Sequence, residues 1–306
     1  MILIMEFLPV LEPLDKPKEG LCRYSLIPRG SAPGVSVGHT CTFTPSGEGE
    51  KGRVLIVGGA NPSGSFSHSH IINLDNHEWD IPEWDGLKPR YEHCSFVPES
   101  YPHRFWVFGG AQQTGNRNCI QNIQLTDSGS HWKNTSVNGM PPCPRTYHTN
   151  SACHGDRLYV FSGGEAGAAP VSDQKLHVFD AGSMKWEKVH PKGDIPPGVT
   201  SHSAVVLGKN IYIFGGMTAD GASNSMYRFN TDKSRWFLMK FQGDMPPNRL
   251  DHSMCLLPWK VCGEGDRDEE QANSPAASQT IHLAFVFGGM DTQGVIYNDC
   301  IVTVLT

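Results

Sequence analysis

No stretch of 18 apolar residues occurs in the 306-residue chain, so nothing in it reads as a membrane-spanning helix. The opening run MILIMEFLPVLEPLD is apolar for only a few residues. It has no basic lead and is broken by Glu6, Pro9 and Glu12, which argues against a signal peptide. There is no C-x-x-C pair, and the nine cysteines are odd in number. Cys41, Cys94, Cys119, Cys153, Cys255 and Cys300 fall in or beside strand-like segments, so reduced thiols of a cytosolic protein are expected. G-x-S-x-G, P-loop and H-E-x-x-H patterns are all missing. Charge is scarce too: 18% of residues carry it and the net is −6. That balance argues against a nucleic-acid-binding face and offers no electrostatic pull toward membranes.

What the chain does have is repetition. Five times a short apolar strand runs into a glycine pair: Gly58-Gly59, Gly109-Gly110, Gly163-Gly164, Gly215-Gly216 and Gly288-Gly289. The first glycines are spaced 51, 54, 52 and 73 residues apart. A tryptophan follows the pair at Trp79, Trp132, Trp186 and Trp236, and a histidine precedes it at His39, His93, His148, His202 and His252. Three markers sharing a period near fifty indicate a β-repeat array.

Each unit reads as four short strands, rich in β-branched and aromatic residues and bounded by Gly, Pro, Asn and Asp. In the first unit they span 38–43, 53–58, 70–75 and 77–81. Four antiparallel strands make one propeller blade, so the expected fold is all-β, a propeller of five four-stranded blades. Glycines at the end of the second strand permit left-handed backbone and close approach. The tryptophan of each blade is expected to pack beside that pair, between adjacent blades.

The fifth unit has no fourth strand of its own. The segment 22–34 aligns with 185–198 and puts Tyr24 where other units have Trp, so the amino-terminal segment is expected to supply the outer strand of the last blade. This predicts an N-terminal extension over 1–21 and a propeller over 22–306. The long fourth interval comes from a polar, acidic 21-residue insert, 259–279, expected as a mobile loop between the first two strands of the last blade. Within it, the charge run 263–270 reads as a solvated loop on the face opposite the glycine pairs.

These markers resemble kelch repeats over residues 22–306. The stretches 57–67, 89–98, 106–121, 175–181 and 249–259 are similar to kelch proteins that serve as Rab GTPase effectors in endosome-to-trans-Golgi transport. The resemblance implies a non-catalytic cytosolic protein without a cofactor, brought to endosome membranes only through its partners. Those partners would be the GTP-loaded form of a late-endosomal Rab GTPase and other trafficking proteins. Kelch propellers commonly have six or seven blades. Val199 stands where an arginine precedes the histidine by three residues at Arg90, Arg145 and Arg249, which marks 187–200 as the expected place of a missing repeat. Both a five- and a six-bladed full-length product fit the sequence.

Five symmetric histidines suit a repeated structural role better than a metal site, since chemistry rarely needs five equal copies. Arg90, Arg145 and Arg249 obey the period and read first as internal braces that bridge neighbouring blades, with a partner's carboxylates as the second reading. Arg117 lies outside that pattern and is the stronger partner-binding candidate. Other loop residues on the same face are Asn61, Phe66, Gln112, Gln113, Asn116, Asn118, Glu165, Asp173, Asp220, Asp291 and Tyr297. Phe66 and Tyr297 are either exposed anchors or packed back on the loops, and Tyr91 and Tyr147 are candidates for the channel mouth. The competing function is a kelch-type enzyme, metal-dependent or mutarotase-like, acting on a small molecule in the central channel.

Overall fold

A computed structural model describes residues 9–16, 23–46, 49–125, 129–146, 152–164, 170, 175–240, 246–261 and 279–305. The protein is all-β, and its strands assemble into five four-stranded antiparallel sheets arranged as propeller blades. From the inside outward, blade 1 is Thr40–Thr44, Arg53–Val57, Ser69–Asn73 and Glu78–Asp80. Blade 2 is Cys94–Phe96, Arg104–Phe108, Ile120–Gln124 and Lys133–Thr135. Blade 3 is Ala152–His154, Arg157–Phe161, Leu176–Asp180 and Lys185–Val189. Blade 4 is Ser203–Leu207, Asn210–Phe214, Met226–Asn230 and Arg235–Leu238. Blade 5 is Ser253–Val261, Gln279–Phe287, Cys300–Leu305 and the amino-terminal strand Arg23–Ser25. No helix among the described residues is long and apolar enough to cross a membrane.

Closure by the amino terminus therefore occurs as the repeats require. Arg23, Tyr24 and Ser25 pair antiparallel with Thr303, Val302 and Ile301. The alignment of Tyr24 with the tryptophans is off by one face, however. Tyr24 is opposite Val302, and both lie in the apolar cluster shared with Val54, Ile56 and Ile72 of blade 1. Trp186 is opposite Phe179 and faces the preceding blade instead. A one-residue change of register exchanges the two faces of a strand.

The boundary at residue 21 also moves. Val10 pairs in parallel with Ser25, Leu11 is buried at 1% exposure in the blade 1–blade 5 cluster, and the Trp259 indole N–H donates to the Asp15 carbonyl at 3.0 Å. Residues 9–16 thus belong to blade 5 rather than to an extension. The expected insert 259–279 is narrower as well, because its flanking strands run to Val261 and resume at Gln279. The acidic run 263–270 lies outside the described residues.

In blades 1 to 4 the outer edge is capped by the chain leaving the blade before it. Arg29 pairs in parallel with Glu78, Trp84–Asp85 with Ser130–His131, Asn138 with Lys185, and Lys192–Gly193 with Arg235–Trp236. These linkers satisfy the edge hydrogen bonds that would otherwise invite another strand.

The turn after the second strand has a fixed backbone: two consecutive left-handed residues. They are Gly58-Gly59, Gly109-Gly110, Gly215-Gly216 and Gly288-Gly289, but in blade 3 they are Ser162 (φ 51°) and Gly163 (φ 92°). The Gly163-Gly164 pair seen in the sequence is one residue out of phase. Gly164 instead pairs with Thr146, as Ala60 does with Val37 and Ala111 with Tyr91. Glycine is needed because the next blade presses on the turn. A Cβ at Gly58 would lie 2.6 Å from the Arg90 carbonyl oxygen and 2.8 Å from the His93 ring. The second turn residue then hydrogen-bonds across the seam: Gly59 to the Arg90 carbonyl at 2.9 Å, Gly163 to Val199 at 3.0 Å, and Gly216 to Arg249 at 3.0 Å.

What packs against the glycines is therefore the next blade's histidine and backbone, not the tryptophan. The tryptophans sit one residue back, on the side chain before the turn of the preceding blade. Trp186 meets Phe108 at 4.8 Å, Trp236 meets Phe161 at 5.2 Å and Trp79 meets Phe287 at 6.2 Å, while Trp132 shares a cluster with Val57. Trp236 is fully buried and also contacts Phe229 at 5.1 Å. Trp236→Ala should destabilise the protein by about 3–5 kcal/mol in denaturant unfolding. Deleting residues 1–27 should lower the melting temperature of the whole protein, and an unchanged transition would contradict closure through blade 5.

Candidate protein-binding face

One end of the propeller is closed at its axis by a collar of main chain. Its members are the residues just before the histidines, and all have left-handed backbone: Gly38, Glu92, Ser201 and Asp251, with φ of 67°, 54°, 59° and 55°. The Glu92 N–H donates to the Gly38 carbonyl at 2.5 Å, Gly38 to Asp251 at 3.2 Å, and Asp251 to Ser201 at 3.0 Å. The blade 3 counterpart, Tyr147, lies outside the described residues, as does His148. Tyr91 pairs with Ala111 inside blade 2, and it is the next residue that enters the collar.

The histidines fasten neighbouring blades. The Thr40 hydroxyl is 3.0 Å from His93 Nε2, and the Ser203 hydroxyl is 2.6 Å from His252 Nε2. The Ser253 hydroxyl donates to the His39 carbonyl, closing blade 5 onto blade 1. Burial lowers the pKa of His39 and His202 to about 4, and lowers His93 and His252 well below the usual value. Among the described residues no group of three or more His, Cys, Asp or Glu side chains could hold a metal ion.

The same end of the propeller carries the loops that follow the glycine turns. Three are short hairpins: Ala60–Asn61 with Gly64–Ser65, Ala111–Gln112 with Gly115–Asn116, and Met217–Thr218 with Gly221–Ala222. Each returns to the blade through a residue whose N–H donates to the second turn residue at 2.8 Å. These are Phe66, Arg117, Ser223 and, in blade 5, Tyr297. Arg117 is thus not outside the repeat. It occupies a fixed backbone position whose side chain changes from blade to blade, which is how a repeat scaffold acquires individuality.

The side chains at these positions behave differently. Arg117 is half-buried and donates from Nη2 to the Gln112 side-chain oxygen, while its Nε has no partner among the described residues. Asn116 and Asn118 flank it, also half-buried. Tyr297 is held by its hydroxyl to Asp291 at 3.1 Å and carries the Arg249 guanidinium 4.6 Å above its ring. Asp291 in turn accepts from Gln293 and Val295 and caps its own loop, which lowers its pKa. Phe66 is half-buried and stacks on His68 at 5.8 Å. Gln113 and Asp220 are exposed, and the Asn61 side chain caps Ser63. Glu165 and Asp173 lie outside the described residues.

The periodic arginines do not belong on a list of partner contacts. Arg90 is fully buried; it donates to the Gly109 carbonyl at 3.1 Å, to the Lys88 carbonyl at 3.2 Å and to the Gln121 side chain. Arg249 is 1% exposed and donates to the Gly288 carbonyl at 2.9 Å and to Asp299 at 3.1 Å. Arg145 reaches the Ser162 carbonyl at 3.5 Å and is half-buried. The arginines brace internally, but within one blade rather than between neighbouring blades as expected, and Arg90 and Arg249 are not presented outward. Burial lowers Arg90 to about 10, still charged at neutral pH.

At the opposite end the inner strands of all five blades line a cavity of about 340 Å³ that includes Thr42, Phe43, Phe96, Val205, Leu256 and His282. Cys41 and Cys153 also line it, but burial pushes the Cys153 thiol up to about 12 and Cys41 well above its usual value, so neither is a ready nucleophile.

The buried histidines predict acid sensitivity. Above pH 6.5 they are neutral in both folded and unfolded chains, and stability is complete. Below 6.5 the unfolded chain takes up protons that the folded one refuses, so stability falls with pH until about 4. At pH 5.5 each such histidine costs about 1.4 kcal/mol. Asp251 opposes this in part. Burial raises it to about 6, so the folded state gains stability as pH falls through 6 toward the unfolded carboxyl value. Denaturant unfolding at pH 7.5 and 5.5 should show a clear net loss at the lower pH, and coincident curves would contradict the neutral-histidine clasp.

Comparisons with known proteins agree with this architecture. Residues 38–265 match a family model described as the KLHDC2/KLHL20/DRC7 Kelch-repeats domain. A zebrafish (Danio rerio) protein named Rab9 effector protein with kelch motifs is 53% identical over 361 positions, covering 99% of this chain and all of the relative. The human (Homo sapiens) protein of that name is 42% identical over 374 positions, covering 98% and 100%, and the mouse (Mus musculus) one is 42% identical over 375, covering 99% and 98%. These alignments run more than fifty positions beyond the 306 residues here, about one repeat's worth of relative sequence that this chain does not match. By the family match, the near full-length likeness and its five blades, the chain belongs to the kelch-repeat family of β-propellers.

Proposed function

We propose that the protein is a non-catalytic Rab effector that binds the GTP-loaded form of a late-endosomal Rab GTPase through the hairpin face. It would act in endosome-to-trans-Golgi transport, residing in the cytoplasm and reaching endosome membranes through its partners. The observation that carries this reading is the near full-length likeness to relatives named Rab9 effector protein with kelch motifs. The hairpin face supports it, because Phe66, Arg117, Asn116, Asn118 and Gln112 vary on a backbone that the repeat holds constant. Nucleotide-state discrimination follows from the GTPase side, whose switch loops are ordered only while the γ-phosphate is present. The enzyme alternative has little to work with among the described residues: His282 and unreactive thiols in the channel cavity.

Capture of GTP-loaded over GDP-loaded Rab9 by the immobilised protein tests the reading, and equal capture of both states overturns it. Arg117→Glu should weaken capture of the GTP form. Stability should hold, because Arg117 sits close enough to the buried Arg90 to oppose its charge. A matching drop in melting temperature would make Arg117 structural instead.

A further inference from the structure

Three blades seat an arginine from their own first linker in a socket beside the glycine turn. Arg90, Arg145 and Arg249 each donate to the carbonyl of the first turn residue, Gly109, Ser162 and Gly288. The other contacts differ from blade to blade, and blade 5 adds the Asp299 carboxylate. In blade 5 the guanidinium lies over Tyr297, and in blade 2 it reaches Gln121. Blade 4 has Val199, which is buried in one apolar cluster with Tyr227, the residue at the Gln121 position.

Blade 1 is different. Three residues before His39 stands Ser36, whose hydroxyl turns to His39 Nδ1 at 3.4 Å. The place an arginine would fill is a groove of about 410 Å³. Its base holds Ser36, Gly58 and His70, and its walls hold Phe66, His68 and Val35. Three of these have counterparts in the filled sockets: Gly58 for Gly109 and Gly288, His70 for Gln121, and Phe66 for Tyr297. Among the described residues nothing donates to the Gly58 carbonyl. At the rim Val35 and Ile81 are 46% and 56% exposed.

We infer that this groove receives the side chain of an arginine presented by a partner protein, which supplies in trans what the other blades supply themselves. The guanidinium would donate to the Gly58 carbonyl and lie over Phe66, as Arg249 does over Tyr297. Its methylene stem would run along Val35 and Ile81. The blade 2 socket shows that no carboxylate is required, since Arg90 is held there by two carbonyls and an amide. Burial, and then the neighbouring His68, lowers the pKa of His70, so the base of the groove is uncharged there at neutral pH. Lysine lacks the flat fork that fits a carbonyl and a ring at once. This inference stands apart from the GTPase reading, because it names the group recognised and not the protein that carries it.

The experiment is a titration of the full chain with Nα-acetyl-arginine amide, followed by NMR on the His68, His70 and Ser36 resonances, with the acetyl-lysine and acetyl-leucine amides in parallel. The arginine compound alone should perturb them. Ser36→Arg should fill the socket in cis, abolish the response and leave the melting temperature no lower. Phe66→Ala should weaken binding about two- to fivefold, the worth of one cation–π contact. An equal response to leucine or lysine overturns the inference. So does a folded Ser36→Arg chain that still binds, or one destabilised by an arginine the socket does not seat; if that chain fails to fold, Phe66→Ala decides between weakened and unchanged binding.

Discussion

The whole ring depends on how closely one blade's turn approaches the start of the next. The left-handed turns of blades 1, 4 and 5 leave room for the next blade's histidine ring, and main-chain hydrogen bonds cross the gap after blades 1, 3 and 4. The histidine then binds a hydroxyl of the blade before it, and the tryptophan covers the outer half of the same seam. These contacts need small residues, a neutral imidazole and a flat aromatic at fixed places. Their demands explain why those three residue types recur while most others drift.

Blade 3 shows what happens when one demand is relaxed. Ser162 takes a left-handed position that is otherwise glycine, and its hydroxyl accepts from the Val199 N–H at 3.0 Å. Val199 also stands where blades 2, 3 and 5 have an arginine. Both departures fall at one seam, which the Gly163 to Val199 and Val199 to Ser162 bonds still cross.

The periodic features were legible in the sequence because the seam repeats them: the five blades, the closing strand and the bracing arginines. What escaped was what periodic residue types do not encode. The face of Tyr24 depends on a one-residue register that a three-residue strand aligns poorly. Ser162 was hidden because a glycine pair is found by its letters, whereas the structure requires a backbone angle. Arg117 looked aperiodic because its position is fixed by a main-chain bond while the side chain there changes. The blade 1 groove was within reach, since Ser36 stands at the same offset from its histidine that exposed Val199 as an exception.

The parallel caps on the outer strands bear on how such a ring can change size. Each rim is finished by chain that belongs, in sequence, to the previous copy, and the last rim is finished by residues 9–11. The genetic unit and the spatial unit are therefore offset, like bricks laid in running bond. Removing one genetic period, wherever the cut falls, takes a rim and its cover together and rejoins matching ends. Growth or shrinkage by whole periods keeps every rim covered, whereas a deletion that also took the linker beyond the blade would strip the edge of its neighbour.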